Sequence, residues 1–267
     1  MAFALVISLL WIKTKRNVKA NALVSQAIEL ERNDATQAIR MAQLALSKSP
    51  LNKAIQQILA RIYAENEFYQ HTITADTAIR QIAIAPDGKR FAAIDAEGKW
   101  LSWDVQGQLL GRITAHQGGG STLDFSPDGR YILSAGEDKQ AILWTVEGEQ
   151  KQVFTGHRSA IHSIAFSGDS KQIITGSRDG EIRHWDLDGN LLKTISAHEG
   201  AVYALTFAPD NQYFASGGFD SQIILWDTTG QQIQQFTGHE DRVLALSFSN
   251  DGQFLLSGSR DKTAILW

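Results

Sequence analysis

Residues 156–186 read GHRSAIHSIAFSGDSKQIITGSRDGEIRHWD. Within them, positions 160–167 alternate apolar and polar side chains, the period-two signature of a half-buried strand. Gly168-Asp169-Ser170 turns the chain into a second short strand at 172–176, and Asp179-Gly180 turns it into a third at 181–186. Asp188-Gly189 makes another turn, and 191–196 supply a fourth strand. Four short antiparallel strands form a sheet that cannot bury both of its faces alone.

The unit repeats. Trp103, Trp144, Trp185, Trp226 and Trp267 stand 41 residues apart, four times without a slip. His116, His157, His198 and His239 share the period, as do Asp138, Asp179, Asp220 and Asp261. A turn aspartate recurs at Asp87, Asp128, Asp169, Asp210 and Asp251, and a turn glycine at Gly107, Gly148, Gly189 and Gly230. These markers define units at about 75–115, 116–156, 157–197, 198–238 and 239–267. Stacking such sheets around an axis buries their faces against one another, so the expected fold is an all-β propeller over 68–267, built of four-stranded antiparallel blades.

Gly156-His157, Ser-Gly-Asp, Gly-Ser-Arg-Asp and Trp185-Asp186 together resemble the WD-repeat β-propeller pattern, which four consecutive units match. The resemblance implies a tetrad in each blade: a His, a Ser or Thr on the second strand, the turn Asp and the Trp. The matching positions are His116, Ser134, Asp138 and Trp144; His157, Thr175, Asp179 and Trp185; His198, Ser216, Asp220 and Trp226; and His239, Ser257, Asp261 and Trp267. An indole N–H, a hydroxyl, an imidazole and a carboxylate can pass hydrogen bonds along a chain and satisfy one another. The first unit departs, with Ala75, Ala93 and Glu97 at three of the four positions, so a looser blade is expected there. Repeating His, Ser and Asp also invite a hydrolase reading. A catalytic triad, however, needs one exposed nucleophile and an oxyanion site rather than four equivalent copies.

The chain has 267 residues, 43% hydrophobic and 20% charged, a globular composition rather than that of a disordered or many-span membrane chain. Without cysteine it has no disulfide scaffold, thiolate zinc site or cysteine nucleophile. The net charge of −4 is unevenly divided. Residues 1–70 hold nine Lys/Arg against five Asp/Glu, and residues 71–267 sixteen against twenty-four. So acidic a domain is a poor binder of phosphate backbones, and no nucleic-acid partner is expected. No G-x-x-x-x-G-K-[ST] occurs, and Gly118-Gly119-Gly120 precedes a strand rather than a helix. No catalytic residue, cofactor or metal ligand is assigned on this reading.

Residues 2–12 (AFALVISLLWI) are apolar and are followed by Lys13, Lys15, Arg16 and Lys19. A spanning helix needs about 20 apolar residues. Segment 1–17 therefore reads as the end of a truncated membrane helix, its basic flank placing the rest on the cytoplasmic face. A short buried or interfacial helix is the alternative. Residues 18–67 read as a spacer of three short helices, with Asp34 and Gln37 resembling a capping box and Pro50 ending the second helix. An apolar helix, a basic cluster, a helical spacer and WD repeats in this order resemble the C-terminal part of bacterial membrane-tethered signalling proteins. The upstream parts of such proteins are a caspase-like, TIR or kinase effector, often with a STAND-type nucleotide-binding domain.

Five repeats leave open sheet edges, and the resemblance implies seven blades, so the visible units are expected to belong to a larger ring with both ends of the chain cut. Closure at five stays open by counting. Residues 68–74 (FYQHTIT) resemble the outer-strand segments 192–197 and 233–238, and could complete the last blade.

The resemblance also implies a partner-binding face at three ring positions per blade. Carried over position by position, its large side chains are Arg80, His162, Tyr203 and Arg242 near the strand starts, with Arg178, Phe219 and Arg260 before the turn aspartates. Arg and aromatic side chains dominate interface hot spots. The expected function is a non-enzymatic platform for a protein or peptide partner, serving as sensor or scaffold for an effector in the same longer chain. The alternative is a propeller-type hydrolase, which would need several carboxylates or histidines converging from the innermost strands. Those strands contain Asp124 as their one carboxylate.

Overall fold

Short runs of β-branched and aromatic residues, cut every few positions by Gly, Asp, Asn or Ser, leave strands of five or six residues, and three in the last. The computed structural model describes residues 73–267 continuously, together with scattered helical positions between 22 and 60. The chain divides into two units, Met1–Thr72 and Ile73–Trp267. In the first, Ala27, Ala42 and Ala45 are buried. The apolar run 2–12 and the basic positions 13, 15, 16 and 19 lie outside the described residues, as does most of the expected spacer. Among the described residues, no helix is long and apolar enough to cross a membrane.

The second unit is five antiparallel meanders. Blade one contains β1 (Ile79–Ile84), β2 (Arg90–Asp95), β3 (Lys99–Asp104) and β4 (Leu109–Thr114). Blade two follows with β5 (Gly120–Phe125), β6 (Tyr131–Gly136), β7 (Ala141–Thr145) and β8 (Gln150–Phe154). Blade three is β9 (Ile161–Phe166), β10 (Gln172–Ser177), β11 (Glu181–Asp186) and β12 (Leu191–Ser196). Blade four is β13 (Val202–Phe207), β14 (Tyr213–Gly218), β15 (Ile223–Asp227) and β16 (Gln232–Phe236). Blade five shows β17 (Val243–Phe248), β18 (Leu255–Ser259) and β19 (Ala264–Leu266). The four strands read from 156–196 are those observed, to within a residue or two at each end.

The cores lie between blades. Leu133 and Leu143 of blade two close on Ile161, Phe166 and Trp185 of blade three, with Phe154 at the junction. Ile174 and Ile182 of blade three close on Val202, Phe214 and Trp226 of blade four. The innermost strands meet in succession, β1 against β5, β5 against β9, β9 against β13 and β13 against β17. The outer faces of the first and last blades are open to water: Ile82 and Ile84 are 66% and 71% exposed, and Leu256 and Leu266 are exposed as well.

Blade one is a complete four-stranded sheet despite its missing tetrad. Of the segment 68–74, expected to complete blade five, the structure describes Ile73 and Thr74. Ile73 and Thr74 are not in a strand, Ile73 packs on the blade-one cluster of Ala93, Leu101 and Trp103, and 68–72 lie outside the described residues.

Phe154→Ala should cost about 3–5 kcal/mol in urea unfolding, because it empties an interblade core. Ile84→Ala should stay within about 0.5 kcal/mol. A cost for Ile84→Ala approaching that of Phe154→Ala would mean that the open face of blade one is covered in solution.

Candidate functional site

Three tetrads have one geometry. Trp144 Nε1 donates to Ser134 Oγ at 2.9 Å, Ser134 Oγ lies 2.8 Å from His116 Nε2, and His116 Nδ1 lies 2.9 Å from Asp138 Oδ1. The corresponding distances are 2.8, 2.8 and 2.9 Å for Trp226, Ser216, His198 and Asp220. They are 2.9, 2.7 and 2.8 Å for Trp267, Ser257, His239 and Asp261. An ionised carboxylate only accepts, so Nδ1 carries the ring proton, Nε2 accepts from the hydroxyl, and the hydroxyl oxygen accepts from the indole. There is no room for more: a Cβ added at Gly136 would stand 2.7 Å from the Cβ of His116.

The histidine also ties neighbouring blades. The backbone N–H of His116 donates to the Gly98 carbonyl in a blade-one turn, and that of His198 to the Gly180 carbonyl of blade three, while each ring bonds within its own blade. The carboxylates are stabilised as anions. Burial pushes the Asp138 carboxyl up, but His116 and the N–H groups of Gln140 and Gln117 outweigh that and hold it below the ordinary carboxylate value. Asp220 is lowered by the same balance with His198, Gln222 and Glu199. For Asp261 the Thr263 hydroxyl leads the lowering.

The fourth tetrad differs. Trp185 Nε1 reaches Thr175 Oγ1 at 3.1 Å and His157 Nε2 at 2.8 Å from that oxygen completes two links. His157 Nδ1 stands 3.5 Å from Asp179 and forms no hydrogen bond.

Three of the seven expected face residues, Arg80, His162 and Tyr203, sit at a backbone feature invisible in the sequence. Each innermost strand slips register past one residue near its start: Arg80, Ser121, His162, Tyr203 and Leu244. A bulge lifts its residue out of the ladder and re-aims the side chain. A second periodic bond joins the other ring positions. The N–H groups of Ala96, Glu137, Arg178, Phe219 and Arg260 donate to the carbonyls of Ala78, Gly119, Ala160, Ala201 and Arg242 at 2.8–3.0 Å.

The large side chains meet across blades. His162 stacks on Tyr203 with ring centroids 5.5 Å apart, and Arg242 lies 4.5 Å from the Phe219 centroid and 5.9 Å from that of Tyr203. Arg242 also donates to the Tyr203 hydroxyl at 3.3 Å, and Asp241 sits 4.0 Å from Arg260. Arg80, His162 and Tyr203 line one cavity of about 430 Å³ with Glu137 and the 118–120 glycines. Desolvation lowers the His162 pKa, so its ring is neutral above the ordinary histidine range. Phe219 is 46% exposed, an aromatic left half open on a rim.

The family model described as "WD domain, G-beta repeat" matches residues 107–145, 148–186, 189–227 and 230–267, more than half of the chain. The chain belongs to the WD40 family. WD40 repeats generally mediate protein–protein interaction, and WD40 domains are typically non-catalytic scaffolds. No curated protein was found to match the chain. The matched WD40 repeats begin at residue 107 and take in only β4 of blade one, the blade whose tetrad is broken.

Sequence reasoning missed how blade one is held. Asp95, buried, takes over the turn: its Oδ1 accepts the N–H groups of Glu97 at 3.0 Å and Lys99 at 2.8 Å. Trp100 fills the interface with blade two against Trp144, ring centroids 6.2 Å apart. A buried carboxylate two positions before the expected one was the available signal. Sequence reasoning also missed Glu181, which stands where the matched WD40 repeats carry Gln140, Gln222 and Thr263. His184, where blades two, four and five carry Leu143, Leu225 and Leu266, is buried, with its Nε2 3.0 Å from Gln172 Oε1. Asp124 on β5 is an exposed residue whose carboxyl desolvation by the surrounding chain raises to about 6, opposed by the N–H of Phe125.

Asp220→Asn should cost about 1–3 kcal/mol at pH 7 by disrupting the bond to His198. Because the folded pKa is depressed, the wild-type stabilisation is present above pH about 4 and lost as pH falls through the folded value. The difference in melting temperature between variant and wild type should therefore narrow below pH about 4. A gap that stays constant down to pH 2 would show that the carboxylate charge contributes nothing.

Proposed function

We propose that this propeller is a non-enzymatic protein-interaction platform whose docking face is the rim carrying Arg80, His162, Arg178, Tyr203, Phe219, Arg242 and Arg260. The observation that supports it most directly is the bulge at the start of every innermost strand, which turns one side chain per blade toward that rim. Arginine and aromatic residues meet there, the residue types that carry most interface energy. Arg178 has no side-chain hydrogen bond or ion pair among the described residues, so its guanidinium is available to a partner carboxylate.

The platform serves, on this reading, as the sensor or scaffold module of a larger bacterial signalling protein of the STAND or caspase-associated type. The chain would sit on the cytoplasmic face of the membrane, with an effector domain upstream. Support comes from the apolar run at 2–12, the Lys13, Lys15, Arg16 and Lys19 cluster behind it, and the helical positions that follow before the WD40 repeats.

Arg178→Ala combined with Phe219→Ala should lower capture of the endogenous partner more than tenfold, with the melting temperature unchanged. Quantitative mass spectrometry of cross-linked pull-downs from the native host checks this. Equal recovery of every captured protein by wild type and variant would remove the rim assignment. An antibody against the propeller should find the endogenous polypeptide in the membrane fraction with a mass well above 29.4 kDa. A soluble species of about that mass would overturn the signalling-protein reading.

A further inference from the structure

Blade three is chemically unlike the blades around it at one place. Its third strand β11 carries Glu181 and Arg183 where the matched repeats carry Gln140, Gln222 or Thr263 and then Ile142, Ile224 or Ile265. The residue at the Glu181 position can reach the tetrad histidine, since Thr263 Oγ1 stands 3.1 Å from His239 Nδ1 in blade five. At the same place the tetrad is opened. His157 Nδ1 is 3.5 Å from Asp179 Oδ2, whereas the other three histidines stand at 2.8–2.9 Å. The His157 side chain is 1% exposed, and its Nδ1 has no hydrogen-bond partner. A buried ring nitrogen without a partner is costly, and this one points at two carboxylates.

We propose that His157 Nδ1, Asp179 and Glu181 form a binding site for a divalent transition cation, of which zinc is the representative. One ligand atom from each lies within 4.8 Å of the other two. Zinc bonded to nitrogen and oxygen at about 2.0–2.1 Å holds tetrahedral ligands about 3.3 Å apart, so a small closure of the side chains completes three positions and leaves the fourth for water. One imidazole with two carboxylates suits zinc and its first-row neighbours better than a magnesium or calcium cage of oxygens alone.

The surrounding bonds fit the tautomer that a metal requires. With the lone pair on Nδ1 directed at the ion, the ring proton sits on Nε2 and is donated to Thr175 Oγ1 at 2.8 Å. That hydroxyl then donates to the Arg183 carbonyl at 3.4 Å while it continues to accept from Trp185 Nε1. Asp179 accepts one backbone N–H on each oxygen, from Glu181 at 3.0 Å and Arg158 at 2.8 Å, and retains a lone pair on each. The Arg183 guanidinium is the competitor. It holds Glu181 Oε2 at 3.2 and 3.4 Å, and must move aside when the ion enters.

The test is calorimetric titration of the full chain with zinc chloride at pH 7.5, alongside thermal melts with and without zinc. One zinc per chain is expected, together with a rise in melting temperature on its addition. Glu181→Gln, which installs the residue two other blades carry, should weaken binding at least tenfold and leave the zinc-free melting temperature unchanged. Arg183→Ile, likewise the residue of the other blades, should tighten binding, a gain that a variant with a damaged fold would not show. Cobalt should give a visible spectrum in the wild type that Glu181→Gln loses. The proposal is overturned if zinc does not bind, or if the titration is unaltered by both substitutions. In either case the cluster is an ion pair between Glu181 and Arg183 beside a relaxed tetrad.

Discussion

The structure hangs on a histidine that belongs to two blades at once. The backbone of His116 or His198 bonds to a turn of the preceding sheet, and its ring bonds to a hydroxyl and a carboxylate of its own. The indole behind the hydroxyl completes a chain that leaves none of the four polar groups unsatisfied in an apolar interface. Hydrophobic contact alone would press the sheets together without fixing their order, because Ile, Leu and Phe side chains pack in many ways. The hydrogen-bonded chain is directional and admits one register.

Blade one shows what remains when that chain is absent. Its sheet still forms, held by interblade burial of Ile94 and Trp100 and by Asp95 bonding the turn from a different position. The tetrad is therefore a means of fixing the blades relative to one another rather than a condition for any one sheet. Blade three shows the opposite modification. Its tetrad residues are all present, yet the histidine and carboxylate stand 3.5 Å apart beside the charged pair of Glu181 and Arg183 on β11. A repeat protein can vary one blade in this way because each blade contacts only its neighbours.

The rim follows from the same economy. Bulges at the inner strand starts cost a ladder bond in each blade but sit at the end of the sheet, where water and loop atoms can replace it. The residue lifted out is free of packing duties, so it can be Arg80, His162 or Tyr203 without harm to the core. Residues at these positions then meet the next blade, as His162 meets the bulge residue Tyr203 and Tyr203 meets Arg242, just before β17.

The strands, the turns and the tetrad members were legible in the sequence, because each is set by local chemistry repeated on a strict period. Alternation of apolar residues marks a strand, Gly and Asp mark its turn, and a Trp every 41 residues marks the blade. Tertiary structure alone decided three things. It opened the contact of His157 with Asp179, since a separation of 3.5 rather than 2.9 Å is a matter of side-chain placement and not of residue type. It assigned Asp95 the turn of blade one, since a carboxylate's reach to N–H groups depends on backbone direction rather than residue type. It placed the bulges, which exist only between paired strands and have no signature in either strand alone.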